Sequence, residues 1–343
     1  METATEIHAQ DAKFLIQNYH GNQHVSLDTL RDFEKVIAAD ESVVSVSRDH
    51  WLRILIGDNS FRLYRAFALA SGSETSLCLP SWLGPRDHMI KILMGPGFEQ
   101  CLPYFFSAKR KSIYLFDAWE ESHARIEQFV KCFSINDVFF SSSQVTEKFR
   151  LRDPSRSYHW IPEGVDPAAY RQIDYAKKDL DVLQLGRKFD AYHGQIVELL
   201  QRNGFTYLYE RVKGQVIFPM RADFVDGLAR SKVSICVPSN ITHPERSGAV
   251  STMTNRYLQS MVSKSLVVGV RPAEMNLLFD YDPMIEIDKN DPFGQLQDIL
   301  DNYDSYIPLI EKNFEIVCNN HTWSKRWELM KTLLLDSDLC TRK

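Results

Sequence analysis

Apolar runs of strand length, nearly free of polar residues, recur along this chain with amphipathic segments between them. In the first half they are Phe14-Leu-Ile-Gln-Asn-Tyr19, Ser112-Ile-Tyr-Leu-Phe116 and Asp137-Val-Phe-Phe-Ser141. In the second half they are Asp181-Val-Leu-Gln-Leu185, Thr206-Tyr-Leu-Tyr209, Lys232-Val-Ser-Ile-Cys-Val237 and Ser265-Leu-Val-Val-Gly-Val270. A strand wet on one face alternates apolar and polar residues. A strand apolar throughout is covered on both faces, the condition of parallel sheets. The intervening segments read as helices. Ile126, Phe129, Val130 and Phe133 fall on one helical face behind the acidic start Glu120-Glu121. Asp291-Pro292 reads as an N-cap with proline in the first turn, turning Phe293, Leu296 and Leu300 inward. Strands alternating with helices give βαβ units, and so an α/β chain of doubly wound parallel sheets.

At 343 residues the chain is long enough for two such domains, each with its own core. The polar, proline-bearing stretch from Arg152 to Ile173, centred on Trp160-Ile-Pro-Glu-Gly-Val-Asp-Pro167, is the expected boundary. It predicts one domain over residues 1–155, a second over 156–320, and a closing segment, 321–343. That segment carries a helix from Thr322 to about Leu335 with Trp323, Trp327, Met330 and Leu333 or Leu334, which could pack on either domain.

A net charge of −5, mixed in sign along the chain, argues against a nucleic-acid surface. The six cysteines (Cys78, Cys101, Cys132, Cys236, Cys318, Cys340) form no CxxC pair, which argues against a zinc site or a disulfide framework and suits a reducing compartment. The opening Met1-Glu-Thr-Ala-Thr-Glu-Ile-His8 is too polar for a signal peptide, and no apolar run approaches the ~20 residues of a membrane span. The expectation is a cytoplasmic protein, peripheral to a membrane at most.

Two segments carry chemistry. Leu185-Gly186-Arg187-Lys188 directly follows a strand, where open α/β sheets bind ligands. Glycine there lets backbone approach an anion, and arginine can grip a diphosphate with paired hydrogen bonds. The same residues also suit a merely solvated basic pair. The second segment runs from Val237-Pro238-Ser239 through His243-Pro-Glu-Arg-Ser-Gly248 to a helix starting near Thr252. Its N-terminus would offer backbone N–H groups to a phosphate or sugar hydroxyl, with Thr252, Thr254 and Asn255 as further donors, or it is an ordinary polar loop and cap.

Taken in order over roughly residues 135–335, these segments resemble the group-1, family-four-like glycosyltransferases. Ile161-Pro-Glu-Gly-Val-Asp166 is similar to their IPNGVD linker, and Gly186-Arg187 to the glycine and diphosphate-contacting arginine after the first strand of their C-terminal domain. Ala229 to Ser239 resembles their aaDvfvlPS strand. Glu245-Arg246-Ser247-Gly248 falls at their EGFG loop, which touches donor sugar and phosphates. Arg256 to Gln259 and Leu266-Val-Val268 fall within their R-x-x-E-A-x-A-x-G-x-P-V-V segment, and His321-Thr-Trp-Ser-Lys-Arg326 at the start of their last helix. The resemblance implies a GT-B fold of two Rossmann-like domains facing a central cleft. It implies a metal-independent, retaining transfer of the hexosyltransferase type, from a UDP- or GDP-linked sugar to a hydroxyl on a glycan, a lipid-linked acceptor or a small molecule.

Three departures stand out. The glutamate that holds the ribose in that family is Gln259 here. Eight residues before it stands Ser251, so Glu245 takes the first glutamate's place only across a longer loop. The lysine after Gly-Arg has no clear counterpart beyond Lys188 or His193. The expected catalytic residues are Asp117 and Glu245. The expected donor site is Gly186, Arg187, Lys188, Ser239, Arg246, Ser247, Gly248, Thr252, Thr254, Arg256 and Gln259. No cofactor and no metal are expected. Asp280-Tyr-Asp282 has the spacing of an Asp-X-Asp site but follows a helix late in the chain, and the diphosphate charge would fall to Arg187, Lys188, Arg246 and Arg256.

The acceptor side is the first domain. Asp117-Ala-Trp119 after a strand could orient or deprotonate a hydroxyl and stack a sugar, or else be a helix N-cap with a core aromatic. His20 and Asn22, in the polar turn His20-Gly-Asn-Gln-His24, are further acceptor candidates, and Asp87-His88 is a weaker one. The rival functions are a nucleotide-sugar epimerase and a noncatalytic binding module of the same shape.

Overall fold

The apolar runs form the strands of two separate sheets, parallel at every pairing among the described residues. The computed structural model describes residues 13–18, 24–46, 88–101, 108–186, 188–212 and 215–340. The chain divides into two compact units. One comprises the described residues of Met1–Gln23, Thr29–Pro162 and Trp327–Lys343, the other His24–Asp28 and Glu163–Arg326.

The first unit is built from β1 (Phe14–Gln17), α1 (Asp28–Ala38), β2 (Val43–Val46), β3 (His88–Met94), β4 (Arg110–Phe116), α2 (His123–Cys132), β5 (Asp137–Phe140), α3 (Ser143–Arg152) and β6 (Ser157–Trp160). The strands lie in the order β2-β1-β3-β4-β5-β6. The chain moves from β1 outward to β2, then back across to β3 on the other side, so the switch of direction falls between β1 and β3. The unit runs on to Pro162 because β6 pairs with β5, from Asp137↔Ser157 to Phe140↔Trp160.

Sequence periodicity gives no strand at β3, although it is central, because Lys91 interrupts its apolar run. Lys91 is 1% exposed, donates to the Gln17 carbonyl at 2.9 Å and pairs with Glu34 at 3.4 Å. At the starts of the strands, His88 Nε2 lies 2.7 Å from Ser112 Oγ, which donates to Asp137 Oδ2 at 3.1 Å. Burial pushes the imidazole down to about 3, so His88 is a neutral core residue at the amino edge of the sheet, the edge away from ligand sites in such folds.

A long last helix, α9 after α4 to α8 given below, spans Trp323–Cys340, and from Trp327 onward it belongs to the first unit. Trp327, Met330 and Leu334 bury its apolar stripe. Trp327 Nε1 and Lys331 Nζ both donate to Asp40, at 2.7 and 2.8 Å, and Ser42 adds its amide and hydroxyl. Burial would raise the Asp40 carboxyl, but the donors Lys331, Ser42 and Trp327 outweigh it and hold the group well below the carboxylate range. A carboxyl depressed in the fold stabilises above its unfolded pKa and loses that contribution as pH falls toward the folded value. Asp40→Asn should therefore lower unfolding free energy at pH 7 by about 1.5–3 kcal/mol, with a smaller deficit near pH 3. Urea melts at the two pH values measure this, and an equal deficit at both would contradict it.

The second unit comprises β7 (Leu180–Gln184), α4 (Asp190–Arg202), β8 (Tyr207–Tyr209), α5 (Arg221–Arg230), β9 (Ser231–Cys236), α6 (Asn255–Val262), β10 (Leu266–Gly269), β11 (Ile285–Glu286), α7 (Pro292–Asp301) and α8 (Ile307–Asn320). Its sheet order is β11-β10-β9-β7-β8. Successive residues of a strand point to opposite faces, and here both faces are filled. Leu183, Cys236 and Val267 enter one core with Tyr257 and Met261, while Val182, Ile235 and Val268 enter another with Ile196 and Leu296. Asp291 caps α7, accepting from the Gly294 amide at 2.9 Å, with Pro292 in the first turn. Lys178, 4% exposed, donates to the carbonyls of Ala229, Ser231 and Ser263 at the ends of α5 and α6. From Glu163 onward the linker lies inside this unit. Val165 donates to the His321 carbonyl and accepts from the Trp323 amide, and a Cβ on Gly164 would come within 3.0 Å of Trp323.

Candidate functional site

From β7 the chain crosses to β8 on one side, and from β9 it moves to β10 on the other. The loops after β7 and β9 therefore part, and the crevice beyond their carboxyl ends is where doubly wound sheets take ligands. Gly186 sits there with φ +66°, a conformation that costs a side-chain-bearing residue about 1 kcal/mol or more.

Arg256, in the first turn of α6, reaches this point. Its Nη1 donates to the Leu185 carbonyl at 2.9 Å, and a Cβ on Gly186 would stand 3.2 Å from the same nitrogen. The remaining guanidinium donors have no partner among the described residues, and the side chain is half-buried. Glycine thus serves two needs here, the left-handed turn and the close pass of a cation. Arg187 lies outside the described residues, as do His20 and Asn22. Lys188 places its ammonium 5.4 Å from the centre of the Tyr209 ring.

The start of α6 is partly taken by carboxylates of the chain itself. Asn255 donates its amide to Glu163 Oε2 at 2.6 Å, and Met253 donates to Glu274 Oε2 at 2.8 Å. Both carboxylates are buried, at 7% and 1% exposure. Buried carboxylates therefore already take the Asn255 N–H and the Met253 N–H just ahead of the cap, two of the backbone donors the sequence offers to a phosphate or sugar hydroxyl. Thr254 is the N-cap residue but makes no cap hydrogen bond, and its Oγ1 is buried without a partner among the described residues. Thr252 is half-buried beside it.

Gln259 lies on the buried side of α6, 6% exposed, and its Nε2 donates to Tyr170 Oη at 2.8 Å. Its amide nitrogen is spent inside the unit. Ser239 is buried where β9 runs into a short helical turn. In the next turn, Pro244–Ser247, Glu245 and Arg246 are exposed, Ser247 Oγ donates to the His243 carbonyl at 2.8 Å, and Gly248 has φ +58°. Asp282 accepts from Arg271 Nη1 at 2.6 Å, as one half of an ion pair.

In the first unit, Asp117 follows β4 at the carboxyl edge with φ +43°, a left-handed conformation rare for a non-glycine residue. It is half-buried, as is Trp119, whose amide donates to the Asp117 carbonyl at 2.8 Å. The Asp117 carbonyl lies 3.9 Å from where a Cβ on Gly95 would be, so the turns after β3 and β4 run side by side.

Sequence reasoning missed Glu163, Glu274 and a polar relay at the end of β7. Tyr207 Oη donates to Gln184 Oε1 at 2.5 Å and lies 2.9 Å from His193 Nδ1. Glu163 stands within the quoted linker motif, but its partner is 92 positions away. Among the described residues no helix is long and apolar enough to cross a membrane.

Two doubly wound parallel units in one chain are the architecture of the GT-B fold. Solved structures share it across nearly their whole length. HepE of Anabaena, in complex with UDP and glucose, is 11% identical with a TM-score of 0.57, over 94% of this chain and 99% of that one. Sucrose-phosphate synthase of Thermosynechococcus elongatus is 12% identical with a TM-score of 0.55, over 96% and 100%. The N-terminal domain of trehalose-6-phosphate phosphatase of Candida albicans is 10% identical with a TM-score of 0.53, over 94% and 96%. At these identities the likeness is one of fold. No protein-family model and no curated protein sequence matches the chain.

Proposed function

We propose that this chain is a glycosyltransferase that binds a nucleotide sugar at the carboxyl edge of β7 in its second unit and passes the sugar to a hydroxyl acceptor. The observation that carries this reading is Arg256, pinned by one hydrogen bond to the Leu185 carbonyl against the positive-φ turn at Gly186, with its other donors unspent among the described residues. A fixed guanidinium beside a bare glycine backbone at a switch point is a diphosphate grip. The structural neighbour HepE is seen with UDP, with UDP and glucose, and with UDP-glucose, which supports a UDP-linked donor.

The chain's own residues then divide the work. Arg256, with Lys188 and the sequence candidates Arg187 and Arg246, neutralises charge on the departing diphosphate without a metal. Thr254 Oγ1 supplies a hydrogen bond to the donor, and Ser239 and Gly248 border it. Asp117 orients the acceptor hydroxyl and Trp119 offers a stacking face, with His20 and Asn22 on the same side by sequence. Transfer of a hexose with retention follows from the family resemblance. Glu245, exposed in its short turn, would have to turn inward with the loop on donor binding.

Thermal unfolding against UDP-, GDP-, dTDP- and ADP-sugars tests the donor site. A ligand at ~100 times its Kd adds about 2.7 kcal/mol to the folded state, and one base should stand out. Silence across the panel would sink the reading. The engaged amide of Gln259 favours one rival, a chain that binds without catalysing. Release of free nucleotide from a bound nucleotide sugar in the absence of acceptor would decide against that rival.

A further inference from the structure

Two nitrogen-bearing side chains converge on consecutive residues at the end of β7. Arg256 bonds the carbonyl of Leu185, while His193, in the first turn of α4, reaches the side chain of Gln184 through the Tyr207 hydroxyl. The second of these groups, an imidazole, is one whose charge can be switched.

The relay fixes where. Tyr207 gives its only hydroxyl proton to Gln184 Oε1. Its oxygen can therefore only accept from the ring, so Nδ1 of His193 carries a proton whether the ring is neutral or charged. Burial holds the Tyr207 phenol above its ordinary range and so keeps that donor in place. The neutral ring then has its lone pair on Nε2, which makes no hydrogen bond among the described residues. A proton can arrive at Nε2 with no rearrangement of the relay. The ring is packed edge-on to Tyr209, at 4.5 Å between centroids, and tilted against Tyr207.

The charges around His193 keep the resting ring neutral. Burial lowers its affinity for a proton first, Lys188 adds repulsion, and Asp190 partly offsets both. Tyr207 and Tyr209 from β8 face it with their rings. A diphosphate bringing two negative charges beside Gly186 and Arg256 reverses that balance.

We propose that the second unit binds the diphosphate of its nucleotide sugar together with one proton, taken from solvent onto His193 Nε2 and held toward the anion by the Tyr207–Gln184 relay. This rests on the donor-site reading above and adds a regulation to it: donor affinity strengthens as pH falls.

Calorimetric titration with UDP-, GDP-, dTDP- and ADP-glucose, in two buffers of different ionisation heat near pH 7, reads the proton directly. These diphosphates are esterified at both ends and have no proton of their own to exchange there. The expected result is uptake of about half a proton or more by the wild type, and an affinity falling up to roughly tenfold per pH unit on the alkaline side. His193→Gln should bind the same nucleotide sugar more weakly, with no uptake and a flat pH profile. Tyr207→Phe, which leaves the ring in place without its acceptor, should show reduced uptake. Equal heats in both buffers for a nucleotide sugar that binds would overturn the proposal and leave the donor-site reading standing, as would uptake that survives in His193→Gln. Binding of none of the four would overturn both.

Discussion

Alanine at position 269 should destabilise the second unit by about 3 kcal/mol, the upper range for forcing an extra methyl into a packed interior. Gly269 ends β10 in register with Cys236 of β9, and its Cβ would fall on the Cys236 carbonyl group. That carbonyl is main chain, and it already accepts from the Val270 amide at 3.1 Å, so it cannot swing aside. Relief would require β9 and β10 to separate at the end where the candidate ligand edge begins. Gly194→Ala is the matched control. It lies in α4 with nothing within 4 Å of a new Cβ, and should gain about 0.5–1 kcal/mol. Urea midpoints of the two variants should move in opposite directions. A neutral Gly269→Ala would mean that the β9–β10 register is wrong.

Arg256→Ala should weaken nucleotide-sugar binding by about 2–4 kcal/mol, roughly thirty- to a thousandfold, because a charge-assisted contact to the diphosphate is lost in a partly dry site. The apo protein should lose less, since among the described residues the arginine side chain makes a single hydrogen bond, to the Leu185 carbonyl. Arg256→Lys keeps the charge but not the planar fork, and should fall between the two. Calorimetric affinities beside apo melting points separate binding from folding. Unchanged affinity in Arg256→Ala would remove the carrying observation from the proposed function.

What could be read from the sequence and what could not differ by mechanism. The strands found by periodicity are those whose two faces are both lined by aliphatic or aromatic residues, as at Val182-Leu183 and Val267-Val268. β3 escaped because a lysine reads as solvated, whereas its partners Gln17 and Glu34, 74 and 57 positions away, show that Lys91 is buried and paired. β6 escaped because Ser157-Tyr-His-Trp160 is polar enough to resemble linker, although it forms an edge strand. In the candidate site, Gly186 was legible because a glycine after a parallel strand has a local backbone reason, borne by its φ of +66°. The roles of Glu163, Tyr207 and His193 were not legible, since each depends on a hydrogen bond across tens of residues that no local pattern encodes. Gln259 shows the limit of reading by resemblance. Its place in α6 could be aligned, but its engagement with Tyr170, 89 positions earlier, belongs to this fold's packing.

The helix at Trp323–Cys340 sets an order of events on the ribosome. Apart from His24–Asp28, the second unit is drawn from one continuous stretch, Glu163–Arg326, while the first also needs residues from Trp327 onward. During synthesis the second unit therefore has all its strands before the first can seat Trp327 against Phe14 and satisfy Asp40. Until then Phe14 and Asp40 of the first unit wait without the helix that packs on them, a nascent state suited to chaperone capture. A circularly permuted chain that placed the closing helix ahead of β1 would relieve that wait.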